Sequence, residues 1–387
     1  SPELIPSLQF DNTDQLIVPQ MSYPNSMRMA FPFKEVFKAI NWKHTDYDIL
    51  YSHLPEHTGQ LKNLLFNTTD ICPTIIGYTH WTEFKEITNY EYEVGLAFNI
   101  IGLLQMEKCG INTQAQKELV LKNAKEHFND NVVKQLDDIL KPQYLGWETP
   151  NYEQQTTDKN IVVYNHRPHT YKNYPWFLEQ MDKLWEQRQD FEVWVPLAES
   201  KEREYITIDK YDRFGYFSKL SSCKVGVCCK QKYEGWAISA TDGMSVGVPY
   251  MFSDDGSYHE LADDAGIYYN DSNTFLDSMN KVLDDKEFRN EYSEKSLQRF
   301  QDSKWEKQIL KINDMFQGAI DNLNTIKRTE SYDKIVDFIR TKKSVTKNEI
   351  LLHMGWGVRI GFTSYRNRLR NETDIKFTKN RYEVIEK

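Results

Sequence analysis

Across residues 1–330, short apolar runs alternate with stretches of helical period, and this rhythm admits few architectures. A strand that feeds a helix and then another strand gives a largely parallel sheet with helices packed on its faces. Strands are expected at 16–19, 48–52, 74–78 and 99–105, with helices at 26–40 and 114–127 between them. Residues 142–159 turn polar and irregular and read as a linker. A second series follows, with strands at 161–164, 191–196, 224–228 and 248–252. Its helices are expected at about 176–188, 238–246, 273–283 and 304–323. Two α/β halves of similar size on a linker place a ligand cleft between them. No sequence repeat relates the halves.

Composition limits the class. Hydrophobic residues are 40%, aromatics 13% and charged residues 27%, which excludes disordered and collagen-like chains. No apolar run approaches the roughly 20 residues of a membrane span, and no signal peptide opens the chain, so no membrane partner is expected. The first residue is Ser1 and not Met, which leaves open what precedes it. Five cysteines without framework spacing read as reduced thiols in a cytoplasmic protein. Cys228 and Cys229, adjacent in a strand pattern, are expected to face opposite ways.

The net charge of -9 disfavours a surface that binds nucleic acid throughout, but the charge is unevenly spread. Residues 331–387 carry 13 basic and 7 acidic side chains, a net +6 that leaves -15 for the body. This tail reads as helix 332–340, then a helix capped by Thr346 with Glu349 at capping-box spacing, then the turn Gly355-Trp356-Gly357. A basic helix at 362–369 and two strands around Thr378-Lys379-Asn380 follow. That is the order of a winged helix-turn-helix. Its candidate DNA contacts are Arg366, Arg368 and Arg370 on the basic helix, with Lys379 and Arg381 at the hairpin tip. Lys347 and Tyr365 are candidate backbone contacts. A solvated charged face or a protein-docking module has the same composition.

The most informative chemistry lies at 233–249. A strand leads into a loop with Glu234 and Gly235-Trp236, and Asp242 follows about two turns into the next helix. Each carboxylate can accept hydrogen bonds from sugar hydroxyls, one on a hexose and one on a ribose. The amides of Gly235 and Trp236 can face a phosphate, because unpaired N–H groups and the helix dipole attract anions. A strand–loop–helix unit with plain surface carboxylates uses the same residue types. His53-Leu54-Pro55-Glu56-His57 fits an inverse zinc-protease pattern, but Pro55 interrupts the helix that such a site needs, so no metal is assigned. His53 is instead a candidate cleft-lining residue, and His166 and His169 read as turn residues.

The 233–249 segment resembles the E-x7-E signature of retaining GT-B glycosyltransferases, nucleotide-sugar enzymes with two facing Rossmann-like domains. Glu234, Gly235, Gly247 and Pro249 match, and Trp236 stands at the aromatic position. Asp242 replaces the second glutamate, and Gly243-Met244 replaces Ala-Met. Arg167 and Lys172 resemble the family's Arg-x4-Lys pair, with Asn165-His166 in place of the usual glycine. Trp305-Glu306 is similar to the start of the family's C-terminal helix. The first half matches less well, since Gln20–Ser26 holds no glycine-rich loop. His80, after the strand at 74–78, is similar to a strand-end histidine that meets the donor sugar, and Glu83 is its weaker neighbour.

The resemblance implies an α/β GT-B fold with an acceptor-side domain at 1–148, a donor domain at 149–328 and a winged helix at 329–387. It implies Glu234 and His80 as catalytic residues. The donor, with UDP-glucose as the expected nucleotide sugar, would be held by Arg167, Lys172, Gly235, Trp236, Asp242, Asp255 and Gly256. Arg167 and Lys172 would offset charge on the departing diphosphate. Dependence on a divalent metal and the oligomeric state stay open. With its basic tail the chain resembles, in architecture, a bacteriophage DNA glycosyltransferase acting in the host cytoplasm. Its acceptor would be a hydroxymethylated pyrimidine in double-stranded DNA, flipped out or reached through a widened groove. A polysaccharide, lipid or protein acceptor, with the tail as a docking module, is the alternative.

Overall fold

The computed structural model describes residues 49–69, 74–80, 90–231, 235–325, 330–353, 369, 372, 374–378 and 381–385. The strand expected at 16–19 and the helix at 26–40 lie outside the described residues.

The first unit runs β1 (Ile49–Ser52), α1 (Pro55–Thr69), β2 (Thr74–Thr79), α2 (Tyr90–Leu103), β3 (Lys108–Ile111), α3 (Gln114–His127), α4 (Asp130–Ile139) and β4 (Leu140–Pro142). The four strands are parallel, in the order β1-β2-β3-β4. Ile75, Leu103, Cys109, Ile111, Val120 and Leu136 form the core between sheet and helices. The strand expected at 99–105 is a correction: this stretch falls mostly in α2, and the strand begins at Lys108. An apolar run buried on most sides has no polar face to reveal its period, so helix and strand look alike in sequence. α1 starts at Pro55, which leaves His53 off the helix that carries His57.

The second unit comprises β5 (Asn160–Val163), α5 (Tyr174–Gln187), β6 (Phe191–Trp194), β7 (Ile206–Thr207), α6 (Arg213–Leu220), β8 (Val225–Cys228), α7 (Ile238–Ser245), β9 (Tyr250–Ser253), α8 (Gly256–Ala262), β10 (Gly266–Tyr269), α9 (Ser272–Asp284) and α10 (Lys286–Ser303). Its six strands are parallel in the order β10-β9-β8-β5-β6-β7. The chain therefore moves outward from β5 to β7, then returns to the other side of β5 with β8. At such a reversal the loops leaving the two central strands diverge, and a crevice opens at their carboxyl ends. One layer of core packs α5 and α9 on the sheet, and the other packs α6, α7 and α8. Cys228 lies in the second layer and Cys229 in the first, as the strand period requires.

α11 (Trp305–Thr325) leaves the second unit and returns to contact β2 of the first. Buried Trp147 ties the linker to this crossing: its amide donates to the Ser303 carbonyl at 2.8 Å. The tail runs α12 (Glu330–Lys342), β11 (Ser344–Thr346), α13 (Lys347–His353), β12 (Ile375–Thr378) and β13 (Arg381–Val384). Its antiparallel sheet has the order β11-β13-β12. Thr346 and Glu349 form the expected box: Glu349 Oε2 accepts from the Thr346 amide at 2.6 Å, and Thr346 Oγ1 accepts from the Glu349 amide at 3.3 Å. Tyr332, Ile335, Ile339, Ile350, Leu369 and Tyr382 give the tail a core of its own.

Candidate active site

The crevice between β5 and β8 gathers the residues singled out in the donor half. After β5, Asn165 and His166 are buried rather than exposed turn residues. Asn165 Nδ2 donates to the Ser239 carbonyl at 2.7 Å and to the Tyr216 hydroxyl at 2.9 Å. Its Oδ1 accepts from the Tyr250 hydroxyl at 3.0 Å. His166 lies 3.1 Å from Cys228 Sγ through Nε2 and 3.2 Å from Ser239 Oγ through Nδ1. Burial, and secondarily Lys172, holds its imidazole down at about 3, so the ring is neutral at pH 7. These bonds tie the loop to the first turn of α7 and leave Arg167 exposed beyond it. The Arg167 carbonyl accepts from the His169 amide at 2.8 Å, while its guanidinium makes no hydrogen bond or ion pair among the described residues. Lys172 closes a 3₁₀ turn, Thr170–Lys172, whose position is set by the Tyr164 hydroxyl donating to the Lys172 carbonyl at 2.9 Å. The loop therefore presents two cations from a rigid base.

On the facing side, α7 begins at Ile238 without a side-chain cap. Gly235 and Trp236 lie just before it, while Glu234 falls outside the described residues. The Trp236 ring is buried and stacks on Tyr144 at 5.5 Å, so its side chain belongs to the core. Asp242 is partly buried within α7 and accepts from the Tyr216 hydroxyl at 3.2 Å. Burial pushes its carboxyl up to about 6, against the smaller opposing pulls of that hydrogen bond and of Arg213. A carboxyl whose folded pKa lies above its unfolded value near 4 costs stability once ionised. The cost is absent below pH 4, grows as pH rises through about 6, and is complete above it. Asp242→Asn is therefore expected to stabilise the fold by about 2 kcal/mol at pH 8 and by almost nothing at pH 4. Denaturant melts at the two pH values measure this, and an equal effect at both would rule it out.

The first unit supplies the opposite wall. His80 follows β2 and is exposed, with its ring parallel to His53 at 5.9 Å and tilted to Tyr78 at 4.9 Å. Partial burial, then the neighbouring His53, lowers its pKa below the usual histidine range, so the ring is neutral at pH 7. Its carbonyl accepts from Asn112 Nδ2 at 2.7 Å and Gln116 Nε2 at 3.0 Å. The same two amides press on the donor side, since a Cβ on Gly235 would lie 2.8 Å from Asn112 Nδ2 and Gln116 Oε1. A Cβ at this position would push both amides away from the His80 carbonyl. His80 and Gly235 thus meet at one pair of amide side chains from the β3–α3 turn and the first turn of α3.

The loop after β9 leads into α8. Asp255 caps α8, accepting from the Ser257 amide at 3.2 Å, and Gly256 opens the helix against Ala115. Glu260 lies one turn into the same helix. It crosses to the first unit, where its two oxygens accept from the Gln114 and Ala115 amides, each at 2.7 Å. The Tyr144 hydroxyl adds a third bond at 3.1 Å. The free amides at the start of α3 and the helix dipole favour a carboxylate there. Spacing in sequence gives no sign of a contact between residues 146 positions apart.

Glu83, Tyr365, Arg366, Arg368, Arg370 and Lys379 lie outside the described residues. Arg381 is described, and its guanidinium is engaged within the tail: Nε donates to Ser344 Oγ at 2.9 Å, and Glu349 lies at 3.6 Å.

No protein-family model and no curated protein matches the chain. Solved structures do. TarM aligns with a TM-score of 0.57 at 14% identity over 73% of this chain, and the chain spans 58% of TarM. Sucrose-phosphate synthase from Thermosynechococcus elongatus aligns with a TM-score of 0.61 at 12% identity, covering 81% of this chain and 87% of that one. The α,α-trehalose-phosphate synthase (UDP-forming) of Burkholderia vietnamiensis gives a TM-score of 0.54 at 11% identity over 75% of each chain. A point mutant of S. aureus TarM was solved in complex with Fondaparinux, α-GlcNAc-glycerol and UDP. At these identities the likeness establishes the fold: this chain shares with these proteins the GT-B arrangement of two parallel, Rossmann-like α/β units.

Proposed function

We propose that this chain is a retaining glycosyltransferase that moves a sugar from a nucleoside-diphosphate donor to a hydroxymethylated pyrimidine in double-stranded DNA. The observation that carries the transferase reading is the β5/β8 crevice. There the loop that carries Arg167 is tied through Asn165 and His166 to Ser239 in the first turn of α7, and Asn112 and Gln116 of the other unit lie between the His80 carbonyl and Gly235. The UDP complex of TarM, on the same fold, supports a nucleotide donor.

In this reading Arg167 and Lys172 hold the diphosphate and stabilise the charge that develops as it leaves. Glu234 and neutral His80 orient the sugar, and ionised Asp242 accepts from the ribose. Asp255 and Gly256 flank the sugar side. The departing phosphate oxygen takes the acceptor proton, so no separate strong base is required. The tail serves as a winged helix whose Arg366, Arg368, Arg370, Lys379 and Arg381 hold the duplex, with Arg381 acting mainly as a brace. Such a tether raises the local concentration of acceptor.

A second reading keeps the donor chemistry and makes the acceptor a glycan. TarM's complex with Fondaparinux and α-GlcNAc-glycerol favours it. The deciding experiment offers the full chain a panel of UDP-, GDP- and ADP-sugars with hydroxymethylated duplex, plain duplex or polysaccharide. Transfer to the hydroxymethylated duplex alone is expected. Arg366→Ala with Arg370→Ala should weaken duplex binding and flatten its salt dependence. Transfer to polysaccharide alone selects the second reading, and failure to bind any nucleotide sugar rejects both.

A further inference from the structure

We propose that a cavity on the flank of the donor unit binds one uncharged hexopyranose ring, separate from the sugar being transferred. The cavity has a volume of about 180 Å³ and is lined by Asn173, Trp176, Lys230, Ser253, Asp254, Tyr269, Asn270 and Asp271. These residues come from the start of α5 and the carboxyl ends of β8, β9 and β10. The cavity thus adjoins the Lys172 turn but sits on the α5/α9 layer, whereas α7 and Trp236 belong to the other layer.

Its walls hold more hydrogen-bonding capacity than the protein uses. Ser253 is buried, and its hydroxyl has no partner among the described residues. The side chains of Asn173, Lys230 and Asn270 make no hydrogen bond among the described residues. Asp254 gives one oxygen to His259 at 2.5 Å and keeps the other. A buried hydroxyl without a partner costs about 1–3 kcal/mol, so a ligand that satisfies it gains affinity. One wall is aromatic, with Trp176 stacked on Tyr269 at 5.7 Å and 5°.

Donors and acceptors around the rim with a flat apolar wall match a pyranose, which has hydroxyls at its edge and C–H groups on its face. The volume is below the roughly 300–1,000 Å³ of pockets that enclose drug-sized ligands, which excludes a nucleotide. A phosphate is disfavoured because Asp254 and Asp271 offset Lys230, the single cation in the lining among the described residues. Asp271 is also committed to capping α9.

The test is saturation-transfer NMR of the full chain with methyl α-glucopyranoside, in saturating UDP. Binding is expected to persist with UDP present. Asn173→Gly combined with Lys230→Ala and Asn270→Ala should weaken it by about tenfold or more, with a thermal melt confirming the fold. Arg167→Ala should leave hexoside binding intact while weakening UDP, so the donor assignment is judged separately. Competition by maltotriose would identify a glycan as the natural source of the ring. Competition by a duplex carrying glucosylated hydroxymethylcytosine would identify nucleic acid, and either supports the site. No hexoside binding, displacement by UDP, or indifference to the triple substitution overturns it.

Discussion

Arg167→Ala is expected to lower affinity for UDP by about 10- to 100-fold, the equivalent of the about 1.5–3 kcal/mol carried by hydrogen bonds to a charged group. The guanidinium has no partner among the described residues, so its loss breaks nothing within that part of the fold. The supporting loop should stay in place, because Asn165 and His166 hold it through Ser239, Tyr216, Tyr250 and Cys228. Arg167→Lys keeps the charge but loses the planar fork that grips two phosphate oxygens, and should fall between alanine and wild type. Asn165→Ala should also weaken UDP, and in addition lower the melting temperature, since the Tyr250 hydroxyl would lose one of its two acceptors. Calorimetric titration of UDP into the three variants measures the series. Unchanged affinity in Arg167→Ala would mean that the diphosphate lies elsewhere.

Much of the fold of the donor half was legible because its units are local. Arg167, Lys172, Gly235 and Asp242 all belong to single strand–loop–helix units, where spacing along the chain fixes spacing in space. The departures from the family pattern were visible as departures but not as a set. Gly243 stands where alanine is usual because a Cβ there would come 2.2 Å from the Tyr250 ring. The hydroxyl of that same ring meets Asn165 of the Asn165-His166 pair that stands in place of the resembled pattern's glycine. One large side chain on β9 thus touches both departures, far apart in the chain, through packing that no local window contains. The missed helix in the first unit has another cause. α2 places Ile100 and Leu103 in the core and carries no charged residue after Glu93, so periodicity had nothing polar to mark its outer face. α10 is the converse, a mostly polar helix with few buried residues, Ser296, Phe300 and Ser303, and its weak stripe hid it.

The acceptor side rests on different ground. The tail's charge is a property of sequence, whereas all of its expected helix 362–369 but Leu369 lies outside the described residues. What the structure adds is that the tail has its own core and that Arg381 is engaged by Ser344 and Glu349. Contact of Arg381 with a ligand would require its release from Ser344 and Glu349, that is from β11 and α13.

Glu260→Ala is expected to reduce transfer by about 100-fold while leaving UDP affinity within about threefold of wild type, because Glu260 acts between the units rather than on the nucleotide. Its carboxylate joins α8 to the first turn of α3 through the Gln114 and Ala115 amides, and Tyr144 secures it from the linker. Charge-assisted bonds of this kind are each worth about 1.5–3 kcal/mol. Together they can set the balance between apposed and separated units, and a shift of about 2.7 kcal/mol corresponds to the expected hundredfold. Separation would draw Asn112 and Gln116, and with them His80, away from Gly235, so the transferring sugar would lose one wall of its site. Glu260→Gln keeps one acceptor oxygen but not the charge that suits a helix amino end, and should give an intermediate loss. The readout that distinguishes positioning from a general structural defect is small-angle scattering. Glu260→Ala should show a larger radius of gyration, with little change in the unfolding of either unit. A scattering profile and turnover identical to wild type would show that the two units stay apposed without this contact.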